Sequence, residues 1–148
     1  MSASRLRPIQ GIADHREREA ARRLGADRAR LRAEEVQWER LCRFRDEYRR
    51  DFQKGLQRGM DAGRLAEYQV FMARLDEAVT AQAAVVEAAR RALAEAQKAW
   101  RLRHTRTRSL DKAIERLEVE DGRGEERREQ ALLDEVAGRR GRAAARSR

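Results

Sequence analysis

Few residues of this chain could take part in chemistry. Among 148 residues there are two histidines, His15 and His104, and one cysteine, Cys42. On two antiparallel helices whose facing residue numbers add to about 116, the histidines come within roughly a turn of each other, so two metal ligands could meet there. A zinc site needs three or four protein ligands, and nothing in the sequence completes the set. Two solvated imidazoles on facing helices is the preferred reading, and no metal is expected. Cys42 falls beside an apolar seam and reads as a small buried or half-buried side chain rather than a nucleophile. No glycine-rich phosphate loop follows a strand, no Walker-type lysine is present, and no Ser, His and acid set could converge in a cleft. No catalytic residue and no cofactor is expected, and the chain reads as a non-enzyme.

Charge is the other candidate chemistry. The formal net charge is +9, and nearly all the positive charge is arginine, the lysines being only Lys54, Lys98 and Lys112. Such an excess suits nucleic acid, an anionic membrane surface or an acidic protein partner, and by itself selects none of them. The arginines are interspersed with acids, as in Arg16-Glu17-Arg18-Glu19 and from Glu115 to Glu120, which is the habit of a solvated helix face. A phosphate binder is expected to show a basic stripe with interleaved aromatics instead, so no nucleic-acid partner is expected. The exception is the end of the chain, where Arg139, Arg140, Arg142, Arg146 and Arg148 sit among Gly and Ala and predict a disordered basic tail.

These residues must be positioned by helices. From Tyr68 to Leu117, steps of three and four residues meet Met72, Leu75, Val79, Gln82, Val86, Ala89, Leu93, Ala96, Trp100, Arg103, Thr107, Leu110, Ile114 and Leu117. A mostly apolar row that holds a 3.5-residue period this long, with no Pro or Gly inside it, is a coiled-coil helix. At 1.5 Å per residue it would be roughly 75 Å long, which predicts a rod with a second strand. A first helix supplies that strand through two seven-residue rows: Leu6, Ala13, Ala20, Asp27, Glu34, Leu41 and Tyr48, and Leu24, Leu31, Trp38, Arg45 and Phe52. Gly55, Gly59 and Gly63 mark the reversal between them, with Asp61 as an N-cap. The expected fold is therefore all-α, two long helices forming an antiparallel coiled-coil hairpin. It is read as one domain, 1–148: helix one about 8–52, turn about 53–63, helix two about 64–120, and a terminal helical segment and basic tail about 121–148.

The same numbering sum has helix one run out opposite Leu110, so helix two overhangs. Gly122 and Gly124 predict a break or weak point, after which Ala131, Leu132, Leu133 and Val136 share one face with nothing in the hairpin to cover it, which implies self-association, disorder or an external partner, the last being preferred. A second surplus lies nearer the turn. Gln37, Leu41, Phe44 and Tyr48 form one row and Phe71, Leu75, Ala78 and Gln82 another, each beside a further row carrying Trp38 and Phe52 or Met72 and Val79. Two helices cannot bury so wide a stripe between them. Leu41 and Leu75 are open between seam and docking surface, and Phe44 and Phe71 are expected to dock. With no secretory signal pattern and no run of eighteen apolar residues, the chain is expected in the cytoplasm.

Taken in order, Glu47-Tyr48-Arg49, the glycine-bearing reversal, Tyr68-Gln69-Val70-Phe71 with Leu75 and Ala78, Trp100, Glu126-Arg127-Arg128-Glu129-Gln130 and Asp134-Glu135-Val136-Ala137 resemble the FliJ family of flagellar type III export. The resemblance covers nearly the whole chain. It implies a hairpin similar to the central stalk of rotary ATPases. It also implies a non-enzymatic export component whose partners are a hexameric flagellar export ATPase and a membrane export gate protein, with export chaperones as further candidates. The location implied is cytoplasmic, peripheral at the cytoplasmic face of the inner membrane, in the service of flagellum biogenesis and motility. Together with the surplus apolar width, it assigns gate docking to Phe44, Tyr48, Phe71 and Leu75, extended by Gln37, Leu41, Ala78 and Gln82. ATPase contact falls to Arg127, Arg128, Leu132, Leu133 and Val136. A generic coiled-coil scaffold and a nucleic-acid-binding hairpin are the alternatives.

Overall fold

The computed structural model describes residues 3–147. They form two helices, α1 (Ala3–Arg58) and α2 (Ala62–Arg146), and no strand occurs among the described residues. This is the all-α hairpin that the periodicity predicts. Ala, Leu, Arg and Glu, the strongest helix formers, dominate both helices.

The reversal occupies residues 59–61. Gly59 ends α1 with φ 89°, a left-handed conformation that L side chains resist. Its N–H donates to the Leu56 carbonyl at 3.2 Å. Asp61 then opens α2 as its N-cap: Oδ1 accepts the Arg64 N–H at 2.7 Å, and its carbonyl accepts the Leu65 N–H at 3.1 Å. A Cβ at Gly55 would stand 2.9 Å from Cε of Met60, the free end of a flexible side chain that can move aside.

Several expectations about helix ends need correction. The turn is centred near residue 60 rather than 58, because α1 continues past Phe52 to Arg58. At its other end α1 begins at Ala3, placing Pro8 in the second turn rather than the first. A proline there withholds one ladder bond, and interhelical contacts offset the loss. Ala3 is buried, its N–H donates to Asp121 Oδ2 at 3.2 Å, and Arg7 pairs with Glu118. The partner-free part of α2 therefore begins after Asp121, not at Leu110. No break occurs at Gly122 or Gly124, and the basic tail is helical as far as Arg146 rather than disordered, for α2 runs unbroken to that residue; Arg148 lies outside the described residues. Each glycine costs a helix roughly 1 kcal/mol relative to Ala without forbidding it, and the surrounding Glu, Arg and Ala are good formers.

Contacts divide the chain into two compact units. The unit from Glu19 to Arg101 holds the turn. Its buried residues are Leu24 from α1 and Met72, Leu75, Val79, Val86, Ala89 and Ala96 from α2, with Leu31, Leu41, Tyr48, Phe52 and Leu93 half-buried. Trp38, expected in this seam, is exposed; an indole is too wide to be enclosed by two helices alone. Gln82 interrupts the apolar row and donates to the Glu34 carbonyl at 3.0 Å and to its carboxylate at 2.6 Å.

The other unit comprises residues 3–18 and 102–147. Ala3, Thr107 and Ile114 are buried, and Leu6, Ala13, Leu110 and Leu117 are half-buried. Here the helices are tied largely by polar groups. Gln10 donates to Asp111 at 2.8 Å, and Thr107 Oγ1 donates to the Arg103 carbonyl at 2.9 Å and reaches the Ala13 carbonyl at 3.5 Å.

Candidate docking surfaces

Within the unit that holds the turn, all three phenylalanines and both tyrosines of the chain form one cluster. Phe44, Tyr48 and Phe52 stand on one side of α1 at four-residue steps, and Tyr68 and Phe71 answer from α2. Tyr48 is central, with ring centroids 5.1 Å from Tyr68 in a stacked pair and 4.6 Å from Phe71 in a tilted one. Phe44 meets Phe71 edge-on at 6.4 Å, and Phe52 stacks on Tyr68. Such pairs are each worth about 0.5–1.5 kcal/mol beyond the area they bury. The cluster is thus held on its inner side, where Tyr48, Phe52 and Tyr68 are half-buried. Burial pushes the Tyr68 phenol above its ordinary pKa, partly opposed by Arg49, whose guanidinium pairs with Asp76 at 3.2 Å.

The outer rings are not covered. Phe44 is 48% exposed and Phe71 38%, and Val70 beside them is exposed as well. Ala66, Glu67, Val70, Phe71 and Arg74 line a shallow groove along α2. Of the residues assigned to docking, Gln37 is exposed, and Leu41, Tyr48 and Ala78 are half-buried. Leu75 is seam: only 8% of it is exposed. Gln82 is also turned inward, toward Glu34. The sequence reading overlooked Val70 and the inner ring Tyr68 as parts of this surface. The signal available was the adjacent pair Val70-Phe71, which falls off the seam row of Tyr68, Met72 and Leu75.

The second surface is the terminal stretch of α2, in the other unit. Every residue from Glu125 to Ser147 is exposed. Leu132 and Leu133 are 61% and 63% exposed, and Val136, Arg127 and Arg128 are exposed beside them. Bonds here run along the helix: Arg127 Nε donates to the Arg123 carbonyl, Gln130 to Asp134, and Arg139 to Glu135.

His104 meets Glu17 of α1, its Nδ1 lying 2.6 Å from Oε1 of the carboxylate. That hydrogen bond holds the Glu17 carboxyl below its ordinary range; burial works against it, and Thr107 and Arg108 assist. Among the described residues no group of three His, Cys, Asp or Glu side chains is placed to hold a metal ion. Cys42 is half-buried. No described helix is long and apolar enough to cross a membrane.

The hairpin thus leaves two apolar surfaces uncovered. No curated protein and no solved structure matches the chain significantly. The family model described as Flagellar FliJ protein matches residues 1–146, almost the full length and both surfaces, so the chain belongs to the FliJ family.

Proposed function

We propose that this chain is a non-enzymatic component of the bacterial flagellar type III export apparatus, a coiled-coil stalk that engages the hexameric export ATPase and couples it to the membrane export gate. In this reading residues 1–148 serve as one functional domain. The protein is cytoplasmic and associates with the inner membrane peripherally, through the gate. Family membership supports the export setting. The observation that carries the coupling role is the exposed pair Phe44 and Phe71, held edge-on in a cluster whose other rings are half-buried. An apolar patch presented rigidly loses little conformational entropy on docking.

Gate docking is assigned to Phe44, Tyr48 and Phe71, flanked by Gln37, Leu41 and Ala78, with Leu75 and Gln82 bracing the surface from the seam. ATPase contact is assigned to Arg127, Arg128, Leu132, Leu133 and Val136. Export chaperones are further candidate partners. Replacing Phe44 and Phe71 by Ala is expected to weaken gate binding and motility at nearly unchanged helicity. A double variant that binds the gate normally would reject the docking surface. Truncation after Arg123 keeps Asp121, which holds the start of α1. The shortened chain is expected to fold and bind the gate but fail to stimulate the ATPase; full stimulation would move that contact elsewhere.

A further inference from the structure

We infer that the terminal stretch of α2 pairs, antiparallel, with the same stretch of a second copy of this chain. Continuing the hairpin seam past Leu117 gives Asp121, Gly124, Arg128, Ala131 and Glu135, a row with nothing substantial to bury. The exposed apolar residues lie off it, so even a longer α1 would not cover them. A separate row at alternating steps of three and four reads Glu129, Leu132, Val136, Arg139, Ala143 and Arg146. Its centre is apolar, its beginning acidic and its end basic.

That order is self-complementary in one direction only. With two copies antiparallel and centred near Asp134, Leu132 meets Val136, Glu129 meets Arg139, and Glu126 meets Arg142, each twice by symmetry. Leu133 flanks the apolar centre and widens it. Parallel copies would instead set Glu129 on Glu129 and Arg139 on Arg139, and like charges at facing positions are repulsive. In the single chain Arg139 pairs, among the described residues, with its exposed neighbour Glu135 at 2.7 Å. A surface pair of this kind is worth little and is readily exchanged.

Self-pairing rests on no statement about the ATPase, although both would use the face of Leu132, Leu133 and Val136 and would then exclude each other. The test is sedimentation velocity on the full chain across a concentration series at low salt, with helicity followed by circular dichroism. The wild type is expected to shift toward dimer as concentration rises and back toward monomer as salt is added. Two charge-reversed variants, Glu126→Arg with Glu129→Arg, and Arg139→Glu with Arg142→Glu, are each expected to remain monomeric. Mixed one to one, they are expected to form the dimer, since every facing pair is then opposite in sign. A single chain bearing all four changes should also dimerise. A wild type that stays monomeric throughout overturns the proposal and leaves the face to another occupant. So does a dimer that either variant forms as readily as the wild type, or a mixture that fails to associate. ATPase stimulation by the same proteins reads the ring contact separately.

Discussion

The two compact units share helices but not chemistry. The unit from Glu19 to Arg101 buries Leu, Met, Val and Ala in its seam and gathers five aromatic rings beside its turn. In the unit of residues 3–18 and 102–147, Thr107 is buried in the seam, and the helices are tied by Glu17 with His104, Gln10 with Asp111 and Arg7 with Glu118. Apolar burial stabilises roughly in proportion to area, whereas a hydrogen bond exchanged with water contributes only about 1 kcal/mol net. The first unit is therefore the stable one, suited to hold a surface rigid. The second opens at lower cost.

The largest expected effect probes that division directly. Leu75→Ala removes a buried seam residue and is expected to cost about 3 kcal/mol in urea denaturation. Phe44→Ala, a few residues away in space but half in water, should cost less than about 1 kcal/mol. Amide exchange should likewise be slower from Met72 to Ala96 than from Arg103 to Leu117, by roughly tenfold or more. Equal costs for the two variants, or equal protection of the two segments, would erase the distinction between seam and surface on which the docking assignment rests.

Much of this was legible in the sequence. Every residue of the α2 row from Met72 to Leu117 is buried or half-buried, because a heptad pattern states its own partner face. The width of the apolar stripe also pointed to exposure of Phe44 and Phe71. Register was less legible. Three glycines mark the reversal, yet only the backbone shows that Gly59 takes the left-handed conformation, and a shift of two residues in the turn centre moves every facing position by four. The continuity of α2 through Gly122 and Gly124 was missed for a different reason: glycine lowers helix stability by degree, and local composition does not say where the sum changes sign. Whether Leu75 or Phe71 faces outward depends on the angle at which the helices meet, which no single-chain pattern encodes.

The glycines sharpen the comparison by opposite signs. At Gly59 any side chain must adopt φ 89°, so Gly59→Ala is expected to destabilise the hairpin by about 1 kcal/mol. At Gly122 the backbone is helical and a Cβ would meet nothing within 4 Å. Gly122→Ala is therefore expected to stabilise the terminal helix by up to about 1 kcal/mol and to raise helicity in circular dichroism. Loss of helicity in the second variant would mean that the terminal stretch gains from a bend at Gly122.

The smallest effect is a titration confined to the second unit. Glu17 is held below its ordinary value of 4.5 chiefly by its hydrogen bond to His104. A carboxyl whose pKa is lower folded than unfolded binds fewer protons in the native state. Its contribution is present above the unfolded value and is lost as pH falls through the lowered folded value. Acid should therefore loosen residues 3–18 and 102–117 at a pH where the seam of Met72, Leu75 and Val79, which holds no ionisable side chain, is still closed. Exchange measured by NMR or mass spectrometry from pH 6 down to pH 3, corrected for the intrinsic rate, would show the first segments losing protection ahead of the second. In Glu17→Gln the amide carries no such titration, so the difference between units should flatten over this range while the wild-type difference at pH 6 largely remains. Simultaneous loss of protection in both units would show that the polar seam opens only with the whole hairpin.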